Sequence, residues 1–330
     1  MRQWAPAPLT RLVANATIAW NPNLRRSVMP IHLPPLTRRR FLKGTLAAGA
    51  ALLVPVRLGA AEPGVDPNRV ALLSDTHIPT DPAKPYGQVN RVENLAKALS
   101  QVIALDPRPA NVIVSGDCAL KEGLPAAYAV LKQLLEPVRK AGIAIHLCLG
   151  NHDHRANFCA AFPDAKPSAS PLVADKHVAI VETPRADFLL LDSLEKVNKT
   201  PGLLGMAQLT WLGRTLDARK GKPALTVAHH DPNFGKRKSG LTDTEALFAL
   251  LKARRRAAAY VYGHSHRWEY KKSDNLHLVN VPTTAHLFKK DEPRGWVDAR
   301  LTAHGATLVL HALDSKHKAH GETVKLTWRA

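Results

Sequence analysis

An α/β fold with a largely parallel sheet is what this 330-residue sequence predicts. Three observations point to it. Short aliphatic runs alternate with helical-period segments from Asn68 onward, the runs end in polar clusters, and no internal repeat or long linker divides the chain. A hydrophobic fraction of 45% and a charged fraction of 22% match those of soluble globular proteins. One domain of roughly 250 residues is the economical reading.

The elements follow in order. The run at 69–75 (RVALLSD) reads as a buried strand, and 88–105 has helical period through Val92, Leu95, Ala96 and Leu99. A second strand is expected at 111–117, a helix at 124–142 ending at Gly142, and a third strand at 143–150. Strand, helix, strand, helix, strand at this spacing means βαβ units. Further strands are expected at 176–182, 186–191, 223–230 and 258–264, with helices at 206–220 and 243–255. Short β-like runs close the chain at 267–271, 276–281, 296–302 and 305–312. The folded domain is placed at 66–315, with 316–330 as a C-terminal tail.

The formal net charge of +19 is concentrated at the front. Residues 1–61 hold nine basic side chains and no acidic one; without them 37 basic face 27 acidic, a net +10. That surplus suits an anionic substrate and does not by itself mean nucleic acid. The basic runs at 235–238 and 254–256 lack interleaved aromatics and read as solvated faces, so no stable nucleic-acid partner is expected. Within 37–61, basic residues precede an apolar run from Leu46 to Val56, and small residues follow at Gly59, Ala60 and Ala61. This is the order of an export signal, and the run is shorter than the ~20 residues that span a bilayer. No transmembrane span is therefore expected in the mature protein. Thr37-Arg38-Arg39-Arg40-Phe41-Leu42-Lys43 resembles the twin-arginine signal at every specified position. The resemblance implies the twin-arginine translocation machinery as a partner and a periplasmic or secreted location. Residues 1–36 are expected to be an unstructured extension or a misassigned start, since residues 1–28 form no recognisable element and Met29 offers a conventional beginning. Cys118, Cys148 and Cys159 are too few for a disulfide framework and read as buried free thiols, with a Cys148–Cys159 bridge the alternative.

Chemistry-bearing residues sit at the carboxyl ends of the expected strands, the edge where open parallel sheets bind ligands. They are Asp75 and His77; Asp117; Asn151, His152 and Asp153; His229 and His230; and His264 and His266. Any one has a structural explanation, since Gly-Asp marks turns and a lone histidine is more often hydrogen-bonded than ligating. Five such ends in one chain exceed what turns require. Oxygen and imidazole donors suit Mn, Fe, Zn or Mg rather than a thiolate-built site. A carboxylate can bridge two ions ~3.5–4 Å apart. Two divalent ions less two ligand carboxylates leave about +2, enough to hold a phosphate oxyanion.

Asp-x-His, Gly-Asp, Gly-Asn-His-Asp, a strand-terminal His and Gly-His-x-His, in that order over about residues 69–270, resemble the calcineurin-like metallophosphoesterase family. The resemblance implies a four-layer sandwich of two mixed β-sheets flanked by helices, with a dinuclear metal site at the strand C-terminal edge. It implies two divalent metal ions, Mn, Fe, Zn or similar. Asp75, His77 and His266 would bind the first, Asn151, His229 and His264 the second, and Asp117 would bridge. His152 would contact the phosphoryl group and leaving oxygen, with Asp153 orienting it. The "HHDP" at 229–232 departs from the commoner "HHPP", which leaves His229 over His230 less firmly assigned. For His154, lining the pocket and simple exposure stay equally open. Purple acid phosphatases carry a tyrosine three residues after the bridging aspartate, where this chain has Leu120. The protein phosphatase branch carries an arginine-bearing continuation that "GDCALKEG" lacks. The stretch before His229 looks most like the bacterial cyclic-nucleotide phosphodiesterase and glycerophosphodiesterase branch. The implied function is an exported phosphoesterase acting on a small phosphorylated substrate through a metal-bound hydroxide, diesters slightly favoured. A nuclease of the same fold and a non-catalytic metal-binding scaffold are the alternatives.

Overall fold

The computed structural model describes residues 64–329, apart from 84, 86, 87, 164–171, 220 and 236–238. The twin-arginine segment and the extension before it lie outside the described residues. Among the described residues, no helix is long and apolar enough to cross a membrane.

The chain begins with the expected βαβ units: β1 (Val65–Leu73), α1 (Arg91–Ile103), β2 (Arg108–Val114), α2 (Pro125–Lys140) and β3 (Ala144–Leu147). Parallel pairing sets β1 beside β2 and β2 beside β3. The chain then lays down α3 (Arg155–Ala161) and crosses to a second sheet. That sheet takes β4 (Ala179–Glu182), β5 (Asp187–Leu190), β6 (Ala224–Val227), β7 (Ala257–Tyr262), β8 (Glu269–Ser273) and β9 (Leu276–Asn280). Helices α4 (Met206–Ala218) and α5 (Thr244–Lys252) are the crossovers between β5 and β6 and between β6 and β7. Finally β10 (Gly295–Leu301), β11 (Gly305–Ala312) and β12 (Thr323–Thr327) return to the first sheet. The strand orders are β12-β11-β10-β1-β2-β3 and β4-β5-β6-β7-β9-β8.

Side-chain alternation explains the layers. On β1, Val70 and Leu72 enter the core between the sheets, while Ala71 and Leu73 pack outward with Leu95, Leu99 and Leu131 of α1 and α2. Both faces are buried, so the strand reads as an unbroken aliphatic run. On the other side Leu189, Ala224 and Tyr260 pack outward with Leu212 of α4 and Leu247 of α5. Helix α1 starts at Asn90, whose side chain accepts from the Glu93 N–H, and buries the stripe Leu95, Ala98, Leu99 and Val102.

The expectation of a largely parallel sheet is corrected. Among the described residues the pairings divide evenly, five parallel and five antiparallel. An apolar run shows that a strand is buried and not which way its neighbour points; β10 pairs antiparallel to β1 from far along the chain, with Arg69 opposite Arg300 and Ala71 opposite Asp298. Residues 316–330, expected as a tail, contribute β12 to the sheet edge. All three cysteines are free thiols, Cys118 and Cys148 buried and Cys159 half-buried.

Candidate active site

The five polar clusters meet at one edge. After β1 the chain continues through Asp75 and His77, and backbone bonds lay this segment along the end of β2: Asp75 N to Gly116 O at 3.1 Å and His77 N to Asp117 O at 2.9 Å. The loop after β3 docks beside it, the His152 N–H donating to Asp117 Oδ1 at 2.8 Å. From the second sheet, Gly263 N donates to His229 O at 3.0 Å and His264 N to Asp75 Oδ2 at 3.0 Å. Asp75, His77, Asp117, His264 and His266 all hold left-handed backbone, with φ of 51°, 44°, 50°, 65° and 54°. Such turns reverse the chain within one residue and aim the side chains into the gap between the sheet ends. Gly263 is required by closeness: a Cβ there would collide with Ser74 Oγ and Asp75 Oδ2.

Two donor clusters result. In the first, His77 Nε2 lies 3.1 Å from His266 Nε2, and His266 Nε2 lies 3.2 Å from Asp75 Oδ1. In the second, His229 Nε2 lies 3.2 Å from Asp117 Oδ2 and 3.3 Å from His264 Nδ1. Asp117 Oδ2 also stands 3.6 Å from His77 Nε2, so one carboxylate oxygen faces both clusters. Neighbouring donors on an ion bonded at ~2.1 Å stand ~3.0–3.4 Å apart, so this spacing fits metal ligands. Asp75 Oδ1 and Asn151 Oδ1 are buried without a hydrogen-bond partner, which also suits atoms that ligate a cation. The residues present fit divalent metal: among the described residues three donor groups converge, His77–Asp117–His152 and Asp117–His229–His264, which share Asp117, and His77–His266–His286.

The electrostatics agree. Burial would raise the Asp75 and Asp117 carboxyls, but the histidines beside them, His266 and His229 for Asp75 and His229 for Asp117, hold both well below the usual range. Burial would lower His229; Asp117 and Asp75 outweigh it and push the ring up to about 9. His264 is pushed down to about 4 by burial and by His229. Two buried carboxylates call for positive charge, and a divalent cation supplies it better than a shared proton.

The remaining predicted residues differ in placement. The His152 ring points Nδ1 at the Lys121 carbonyl, 3.0 Å away. Asp153, expected to orient that ring, is corrected to another role: its carboxylate accepts from the Gly150, Cys118 and Ala119 N–H groups and from the Tyr128 hydroxyl at 2.9–3.1 Å. Burial, with Asp117 nearby, pushes it up to about 6 against those bonds. His154 is a helix cap, its Nδ1 accepting from the Asn157 N–H at 3.3 Å. His230 turns from the metal position toward Ser193, Nδ1 2.8 Å from Oγ, which favours His229 as the ligand.

A cavity of about 480 Å³ opens over these groups, lined by His77, Asp117, Asn151, His152, His264 and His266, and by His286 and Phe288. His286 is the residue that the motifs missed. It follows β9 as His77 follows β1, so the strand-end rule, carried one strand further, finds it. Its carbonyl lies 2.6 Å from His266 Nδ1, which frees His266 Nε2 for a metal, and its own Nδ1 lies 3.3 Å from Arg91 Nη2. Its ring is 5.1 Å from that of His77.

A buried carboxylate–imidazole–amide centre at the edge of such a sandwich defines a metal-dependent hydrolase. The chain belongs to the calcineurin-like phosphoesterase family, whose family model matches residues 68–268, and it is a hydrolase of phosphoric esters. A twin-arginine translocation pathway signal sequence matches residues 35–55. A cAMP/cGMP dual specificity phosphodiesterase of Mycobacterium tuberculosis is 30% identical over 69% of this chain and 69% of its own. A glycerophosphodiester phosphodiesterase of Enterobacter lignolyticus is 27% identical over 66% of this chain and 77% of its own. In fold the chain is similar to a dimetal phosphatase of Danio rerio, with a TM-score of 0.62 at 13% identity, covering 80% of this chain and 100% of the other.

Proposed function

We propose that this chain is an exported phosphodiesterase working with two divalent ions. Asp75, His77 and His266 hold one, Asn151, His229 and His264 the other, and Asp117 is shared between them. The observation that carries the reading is the donor spacing of 3.1–3.3 Å within each cluster, around a carboxylate that faces both. Bound there, the ions supply the Lewis acidity that activates a water and draws charge from phosphoryl oxygens. The side chains do the rest. With Nδ1–H given to the Lys121 carbonyl, His152 keeps Nε2 for the substrate and, protonated there, donates to the departing oxygen. Asp153 acts through backbone, pinning the loop that carries Asn151 and His152. A guanidinium only donates, so Arg91 holds a lone pair on His286 Nδ1 and the ring presents Nε2–H to a phosphoryl oxygen.

Relatives named for cyclic nucleotides and glycerophosphodiesters support a diester, and a cavity of about 480 Å³ suits a small one. The test is metal analysis beside turnover of bis(nitrophenyl) phosphate and nitrophenyl phosphate. Chelation should abolish both activities, Mn²⁺ should restore them, and the diester should turn over faster. Full activity without metal sinks the reading; a faster monoester sinks its diester half. The signal at 35–55 supports periplasmic delivery. Changing Arg38 and Arg39 together to Lys should leave the enzyme in the cytoplasm, which fractionation of expressing cells will show.

A further inference from the structure

One exposed phenylalanine lines this site and a second lines the cavity beside it. Phe288 is 65% exposed and Phe234 is 57% exposed, whereas Phe158, Phe188 and Phe248 are buried in the cores. Phe288 lines the cavity over the metal ligands. Phe234 lines an adjoining cavity of about 500 Å³ that shares Asp231, Ser265 and Arg267 with the first. Water-exposed aromatic surface is costly, and its concentration at a cavity points to a ligand.

Phe288 is also oriented. Its ring lies parallel to that of His266, centroids 4.2 Å apart and planes 14° apart, and it meets His286 edge-on at 5.3 Å. The segment beneath it is fixed: Thr283 Oγ1 donates to the Asp75 carbonyl at 2.8 Å, and the Arg294 Nε–H donates to the Ala285 carbonyl at 2.7 Å. A ring held flat on an imidazole with 65% of its residue exposed has surface left for a second flat group. An imidazole that binds a cation is electron-poor, which strengthens stacking on its side and keeps the phenyl ring in place. Phe288 also lies outside residues 68–268, so the family match does not include it.

We propose that Phe288 is a stacking platform for an aromatic ring on the ester arm of the substrate, an aryl group or a nucleobase. This deepens the phosphodiesterase reading and rests on it. Phosphorus bound at the ions next to His266 carries its arm past the neighbouring Phe288, and Phe234 continues the apolar surface for a longer arm. Without such an arm, Phe288 would serve only to shield His266.

The experiment uses the full metal-loaded chain and two non-hydrolysable probes, benzylphosphonate and methylphosphonate, as competitive inhibitors. They share the phosphonate and differ in the ring. The parent should bind benzylphosphonate more tightly. Phe288→Ala should weaken benzylphosphonate ~5–150-fold, the range of stacking losses, and leave methylphosphonate and metal content unchanged. Phe288→Trp should restore the preference. Equal weakening of both probes, or loss of metal from Phe288→Ala, assigns Phe288 to shielding His266 and overturns the platform. An unchanged benzylphosphonate constant overturns it as well. Failure of the dinuclear reading is visible separately, as a metal-replete parent that binds neither phosphonate.

Discussion

Asp75, His77, Asp117, His264 and His266 each hold a backbone conformation that side chains other than Asn, Asp and His rarely adopt. Left-handed non-glycine residues cost of order 1–3 kcal/mol each, and the surrounding backbone bonds must hold them there. Chemistry and conformation thus select the same residue types. Within the Gly-Asn-His-Asp loop, neighbouring residues have separable tasks. His152→Ala should keep its metal content and lose ~10²–10⁴-fold turnover on alkyl esters, but much less on nitrophenyl esters, whose leaving group needs little protonation. Asn151→Ala should lower metal content and slow both ester types alike. Metal content measured beside turnover on the two esters decides; a His152→Ala enzyme that loses metal makes the histidine a ligand. The positions of these residues were legible because five polar clusters each end an apolar run. Their partners were not. Lys121 acts through its carbonyl and the Asp153 carboxylate through N–H groups of Gly150, Cys118 and Ala119, and main-chain roles leave no mark in side-chain identity.

Strands β1 and β10 are joined by charge as well as by backbone. Arg69 pairs bidentately with Asp298, both distances 2.8 Å, at 3% and 1% side-chain exposure. Removing Arg69 leaves the buried Asp298 with only the largely exposed Arg300, 3.0 Å from its Oδ2, so Arg69→Met should cost up to ~3–5 kcal/mol. The double change Arg69→Met with Asp298→Leu should recover most of that loss, because an apolar pair has no charge to desolvate. Urea unfolding of both variants checks this, and a double variant no better than the single one refutes it. The parallel βαβ units could be read from the sequence because helix and strand periods alternate at close spacing. Helix α3 could not, being only Arg155–Ala161 and started by a histidine side chain. Nor could β12, where Val324 and Leu326 are the only buried positions in five residues.

At the scale of the molecule, the last residues fasten the two halves together. Past β12 of the first sheet, the Arg329 guanidinium donates to the Leu251 and Lys252 carbonyls in the last turn of α5, to the Arg254 carbonyl just after it and to the Ala257 carbonyl that opens β7 of the second sheet. Leu251 and Lys252 belong to the last turn of α5, whose carbonyls have no partner within the helix ladder. Arg329→Ala should cost ~1–3 kcal/mol, lowering the melting temperature by several degrees, and a chain stopped after residue 322 should be far less stable than that. A thermal melt of each tests the pair; an unaffected shortened chain would show that β12 is dispensable. The four-layer architecture was reachable only through the resemblance, since composition and period show buried strands without dividing them between sheets. The return of β10 to the edge of β1 also sets a timetable. Roughly 220 residues separate the two strands, and at ~5–20 residues per second a ribosome needs ~11–44 s to make them. For that interval the first-made strand, with Asp75 and His77 beyond its tip, has β2 on one edge and the other edge open. The pocket draws its lining from His77 through to Phe288, so it cannot close until the chain has been made at least that far.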